Sequence, residues 1–138
     1  MTMPATRVHL RRQLEAHLTD LGYSRPRMKS TTRPEPELVR SNPVRGHIAY
    51  GETVLRADLG AQSCHERLIS FSQRRTRLRS SILFFIGVAA EDKIDLTTLL
   101  VRLGIYDGAR GGHVHVVPID PQPRATARQP VKKQTKQQ

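Results

Sequence analysis

Four leucines recur at intervals of three or four residues near the start of the chain and are followed by Gly22: Leu10, Leu14, Leu18 and Leu21. Residues at this spacing lie on one face of an α-helix, and a glycine commonly follows a helix C-terminus. The pattern therefore predicts an amphipathic helix over residues 8–21.

Two short segments with strand-like composition come next. They are "ELVRS", residues 37–41, and "HIAYGETVL", residues 47–55, and "NPVRG" joins them. Proline and glycine in a connection of this length favour a tight turn. We predict an antiparallel hairpin of two strands.

A second helix is predicted over residues 61–78, where one stripe of positions is apolar and the opposite stripe carries serines, arginines and a glutamate. "SILFFIGVA", residues 81–89, is too uniformly apolar for a surface strand and indicates a central strand covered on both faces. A third helix is predicted over residues 92–103, and the alternation in "HVHVVPI", residues 113–119, predicts a last strand with one exposed face.

The order of elements is helix, hairpin, helix, buried strand, helix, strand. Strands separated by helices pair in parallel, so we expect an α/β fold with a small mixed sheet flanked by helices. Residues 1–120 are predicted to form a single domain. Residues 121–138 carry five basic residues, no acid and few apolar side chains, which predicts a disordered basic tail. That tail is either a solvated extension or an arm that contacts phosphates.

The charge balance changes the expected partners. The chain has 23 Lys and Arg against 12 Asp and Glu, a formal net charge of +11. Such an excess favours polyanions such as DNA, RNA or an anionic membrane surface, although a merely solubilising surface is the alternative. One cysteine allows no intramolecular disulfide and indicates a reducing compartment. No apolar run reaches the roughly 20 residues that cross a bilayer, so we expect a cytoplasmic protein with no membrane association.

The carboxylates carry the most informative chemistry. Glu37 begins the first hairpin strand and Glu52 lies late in the second, so an antiparallel hairpin brings them together. Adjacent carboxylates repel unless a cation lies between them, and oxygen ligands suit Mg²⁺ or Mn²⁺. Alternatively, both glutamates only keep an edge strand soluble. The histidines, by contrast, lack the spacing of a zinc site.

The stretch "RPEPELVRSNPVRGHIAYGETVL", together with the helix before it and the arginine-bearing helix and apolar strand after it, resembles the restriction-endonuclease-like superfamily of PD-(D/E)xK nucleases. The resemblance spans residues 8–103. It implies that Glu37 and Glu52 are catalytic and hold Mg²⁺ or Mn²⁺, with Glu15 as an additional acidic ligand. The position of the family's lysine is occupied by Val54.

This departure bears on activity. Valine can neither stabilise developing phosphate charge nor help to deprotonate water, so endonuclease activity is expected to be degraded or absent. Arg56, on the same strand face, or Arg67, on the second helix, is predicted to supply a cation instead and to bind a phosphate of the nucleic acid.

The resemblance also implies that Arg67 and Arg74 face nucleic acid. The run "SQRRTRLRS" adds Arg75 and Arg77 to this predicted surface. Alternatively, these arginines only oppose the dipole at the end of their helix. We therefore expect a nuclease-like protein that binds DNA, or else a noncatalytic nucleic-acid-binding or assembly subunit with a basic tail. The sequence leaves open whether the chain forms a homodimer or associates with a different subunit.

Overall fold

A four-stranded mixed sheet in the order β1-β2-β3-β4 forms the centre of the fold. The computed structural model describes residues 5–26, 34–75, 82–106 and 113–121. The strands are β1 (Leu38–Asn42), β2 (His47–Val54), β3 (Leu83–Ala89) and β4 (Val114–Ile119). β1 pairs antiparallel with β2, whereas β2, β3 and β4 run parallel. The predicted mixed sheet and hairpin are therefore confirmed.

Three helices cover the sheet: α1 (Arg7–Asp20), α2 (Gln62–Ser72) and α3 (Lys93–Arg102). α1 buries its three inner leucines, Leu10, Leu14 and Leu18, on one face of the sheet. α2 and α3 bury Leu68, Phe71, Leu96 and Leu100 on the other face. β3 lies between these layers and is buried from Phe84 to Ala89, as its apolar sequence predicts.

α1 approaches the sheet closely because two strand positions lack side chains. A Cβ placed on Gly51 would lie 3.2 Å from Leu14 Cδ2, and one placed on Gly87 would lie 3.3 Å from Leu14 Cβ. Gly51 also leaves room for Leu38 on the neighbouring strand. These glycines set the depth at which the N-terminal helix packs.

Two predictions need correction. α2 ends at Ser72, not near residue 78, because Arg74 folds back over the Phe71 ring and donates to the Pro34 carbonyl. The histidine face of β4 is not simply exposed: His115 stacks on Phe85, because α1 covers that face of the sheet.

No described helix is long and apolar enough to cross a membrane. The predicted disordered tail lies outside the described residues from position 122 onwards, so that prediction stands as made from the sequence.

Candidate functional site

The two glutamates predicted to meet at the open end of the hairpin do meet. Leu38 pairs with Gly51, which places Glu37 next to Glu52 on the adjoining strand. The Glu37 N–H donates to Glu52 Oε2 at 2.6 Å. The pair lies at the C-terminal end of β2, close to the start of α2.

Glu52 is paired with an arginine of α2. Arg67 Nε donates to Oε1 at 3.0 Å and Arg67 Nη2 donates to Oε2 at 2.9 Å, a two-pronged contact that uses both carboxylate oxygens. Only 4 % of Glu52 is exposed. Burial raises the pKa of Glu52 above its ordinary value of 4.5, and hydrogen bonds from Arg67 and from the Glu37 N–H oppose that rise.

Glu37 turns toward the opposite face and meets α1. Its carboxylate accepts from the Thr53 N–H at 2.9 Å and from Thr53 Oγ1 at 2.8 Å. Arg11 Nε lies 3.3 Å from Oε1, and Arg7 Nη1 lies 3.7 Å from Oε2. The two acids are therefore neighbours across the β1–β2 pair, but arginines of two different helices neutralise them.

Arg7 ties this cluster to the turn after β2. Its Nη1 donates to the Thr53 carbonyl at 2.9 Å and its Nη2 pairs with Asp58 at 2.7 Å. Asp58 in turn accepts from the Leu55 N–H. Burial lowers the pKa of Arg7, but hydrogen bonding and charge from Asp58 outweigh it, so the pKa is raised and the guanidinium stays charged.

This arrangement does not fit the divalent ion that the family resemblance implies. Both oxygens of each carboxylate already accept hydrogen bonds from the protein, and three guanidinium groups would repel an entering cation. Among the residues that the structure describes, no group of three or more His, Cys, Asp or Glu is placed to hold a metal. Glu15 does not join the pair, because it forms an ion pair with Arg40 of β1.

The lysine position of the resemblance is closed as well. Val54 lies on the same face of β2 as Glu52, is 1 % exposed and belongs to the core under α2. Of the two arginines predicted to supply a cation, Arg67 reaches Glu52. The prediction for Arg56 is wrong: β2 ends at Val54, and the following turn carries Arg56 to Asp92 and Asp95, at 2.8 and 3.0 Å.

The predicted DNA-facing arginines have different surroundings. Arg74 lies 4.9 Å above the Phe71 ring and 5.7 Å from the Tyr50 ring, and its buried Nη1 has no hydrogen-bond partner among the described residues. Arg75 is exposed, and within the described part of the chain its side chain donates to the carbonyls of residues 73 and 74. Arg77 lies outside the described residues.

Sequence reasoning missed the contribution of α1. Arg7 and Arg11 are four residues apart and so share one face of the helix, a spacing that could have singled them out as a pair. Nothing in the sequence indicates that their partner is Glu37.

The acid pair and its arginines line a pocket of about 300 Å³, and Cys64 lines it as well. Burial raises the pKa of the Cys64 thiol to about 11 and leaves it unreactive.

Comparison with known proteins adds no relative. No family model matches the chain, and neither the curated proteins nor the solved structures contain a match.

Proposed function

We propose that this chain binds duplex DNA through its basic segments and does not cleave it. The resemblance to PD-(D/E)xK nucleases supports the choice of DNA. Two observations support the absence of cleavage: Arg67 donates to both carboxylate oxygens of Glu52, and the position of the family's lysine holds the buried Val54.

The distribution of charge carries the proposal. The described residues hold twelve Lys and Arg against eleven Asp and Glu, a net charge of +1. The remaining residues hold eleven against one, a net charge of +10. The framework is therefore nearly balanced by its own ion pairs, and almost the whole excess is concentrated in a few segments, where it can attract phosphates by counterion release.

The described residues that flank two of those segments are in contact with each other. Residues 27–33 hold three basic residues and end at Pro34, whose carbonyl accepts from Arg74 Nη2 at 2.8 Å. Residues 76–81 hold two more and begin just after the exposed Arg75. The chain therefore enters one basic segment beside the point where it leaves another, and together the two segments carry five basic residues.

The test is binding of a fluorescent DNA duplex to the full chain, followed by anisotropy across a series of salt concentrations. The variant Arg27→Gln/Lys29→Gln/Arg33→Gln removes three charges from one basic segment. Its matched control, Arg12→Gln/Lys93→Gln/Arg102→Gln, removes three charges from exposed positions of the described helices.

We expect the first variant to reduce the slope of log K against log salt by up to about 2.7, because each lost phosphate contact reduces it by about 0.9. The control should leave the slope nearly unchanged. Equal losses in both variants would mean that only total charge matters and would overturn the assignment to these segments. Mn²⁺-dependent nicking of supercoiled plasmid that disappears in Glu52→Ala would overturn the absence of cleavage.

A further inference from the structure

A second and larger pocket, of about 650 Å³, lies at the other end of the sheet from the acid pair. It is bounded by the end of α1, by the β1–β2 turn and the first residue of β2, by the first residues of β3, and by residues 115–118 of β4. Its volume falls within the range of small-molecule sites in proteins.

Aromatic rings form one wall. His115 stacks on Phe85 with ring centroids 4.9 Å apart and an angle of 21° between the ring planes. His17 and Tyr23 each meet the same Phe85 ring edge-on at 6.1 Å. Flat rings held in fixed orientations offer faces and edges against which a planar ligand packs.

The polar groups of the pocket are suited to an anion. Arg45 lies in the turn between β1 and β2, His47 is the first residue of β2, and His17 lies on α1. No Asp or Glu lies among the described residues that line the pocket. Burial, with the charges of His113 and His17, lowers the pKa of His115, so its imidazole is neutral at neutral pH and Arg45 supplies the charge.

The C-terminal end of α1 does not disfavour an anion in this pocket. Its last carbonyls would repel an anion if they were bare, because the C-terminal end of a helix is partly negative. Instead, the carbonyls of residues 17, 18 and 19 accept hydrogen bonds from the backbone N–H groups of Leu21, Tyr23 and Gly22 respectively.

We propose that this pocket binds a nucleoside monophosphate, with the base against the wall of His17, Tyr23 and His115 and the phosphate at Arg45 and His47. A phosphate suits donors that come from separate elements, because its oxygens point in several directions. The planar base suits the rings. The inference does not depend on duplex binding, since the pocket lies away from the acid pair and takes a free small molecule.

Titration of the full chain with 5′-AMP, followed by heteronuclear NMR and calorimetry, tests the proposal. We expect saturable binding, with the largest chemical-shift changes at Tyr23 and at the imidazoles of His17 and His115. Adenosine and inorganic phosphate should each bind at least about tenfold more weakly, because each satisfies only half of the site.

Arg45→Gln is the critical variant, since Arg45 is exposed in a turn and its side chain supports no described contact of the core. It should weaken AMP binding about tenfold or more and leave adenosine binding unchanged. Arg102→Gln, an exposed arginine on α3, removes the same charge and should change neither. Absence of AMP binding, phosphate binding as tight as that of AMP, or equal effects of the two variants would overturn the proposal. A change in AMP affinity leaves the DNA-binding proposal untouched, so the two can fail separately.

Discussion

Arg67 holds both oxygens of the Glu52 carboxylate, at 3.0 and 2.9 Å, and thereby joins α2 to the end of β2. The same guanidinium donates to the Glu35 carbonyl at 3.0 Å and so fixes the segment that leads into β1. One arginine therefore connects three parts of the chain at the acid pair.

The contribution of this arginine to stability is directly measurable. Arg67→Gln leaves Glu52, which is 4 % exposed, without its charged partner. We expect the free energy of unfolding to fall by about 1–3 kcal/mol, the cost of leaving a buried polar group unsatisfied. Urea denaturation measures it, with Arg75→Gln as control. Arg75 is exposed and its side-chain hydrogen bonds to described residues go to local carbonyls, so we expect this variant to change stability by less than about 0.5 kcal/mol. Equal effects would contradict a structural role for the Arg67–Glu52 pair.

We expect Glu37 and Glu52 to bind Mn²⁺ only when Arg67 is removed. In the native chain we expect no saturable Mn²⁺ binding by calorimetry, because the protein's own donors occupy the carboxylate oxygens. In Arg67→Gln, two carboxylates without that cation repel, and a divalent ion relieves the repulsion. Weak saturable binding should therefore appear in that variant and disappear in Arg67→Gln/Glu52→Gln. Saturable Mn²⁺ binding by the native chain would contradict this prediction, because it would mean that the metal displaces the arginines from the carboxylates.

The raised pKa of Glu52 predicts the sign of its pH dependence. Between 4.5 and the higher native pKa, the folded chain keeps a proton that the unfolded chain has lost. The contribution of Glu52 to the free energy of unfolding is therefore complete below pH 4.5 and decreases as the pH rises through the native pKa. Glu52→Gln does not titrate at this position, so the native chain should lose stability relative to that variant across this window and then level off. A relative gain with rising pH would mean that Arg67 dominates and lowers the pKa.

The close approach of α1 to the sheet predicts an asymmetry between two glycines. An added Cβ at Gly51 would lie 3.0 Å from Leu38 Cβ and 3.2 Å from Leu14 Cδ2, so Gly51→Ala forces β1 or α1 to shift. We expect a loss of about 1–3 kcal/mol in the free energy of unfolding, the usual cost of overpacking. At Gly60 an added Cβ would have no atom of another described residue within 4 Å, its two chain neighbours aside, so Gly60→Ala should be nearly neutral by the same measurement. Similar losses at both positions would contradict this account of the packing.

The sequence by itself determined the elements and the hairpin. The leucine spacing of α1, the apolar run of β3 and the Pro and Gly of the β1–β2 turn are local signals, and each corresponds to an element of the structure. The meeting of Glu37 and Glu52 also followed from sequence, because a short turn fixes the register of two antiparallel strands.

Only the tertiary structure decided what surrounds the acids. Periodicity places an arginine on the polar side of a helix but does not say whether a carboxylate lies within its reach. Arg67 and Glu52 are 15 residues apart, Arg11 and Glu37 are 26 apart, and Arg56 and Asp92 are 36 apart. These partners are set by where the helices cross the sheet and where each strand stops, since a guanidinium at the end of a long side chain pairs with the acid that packing brings within about 3 Å.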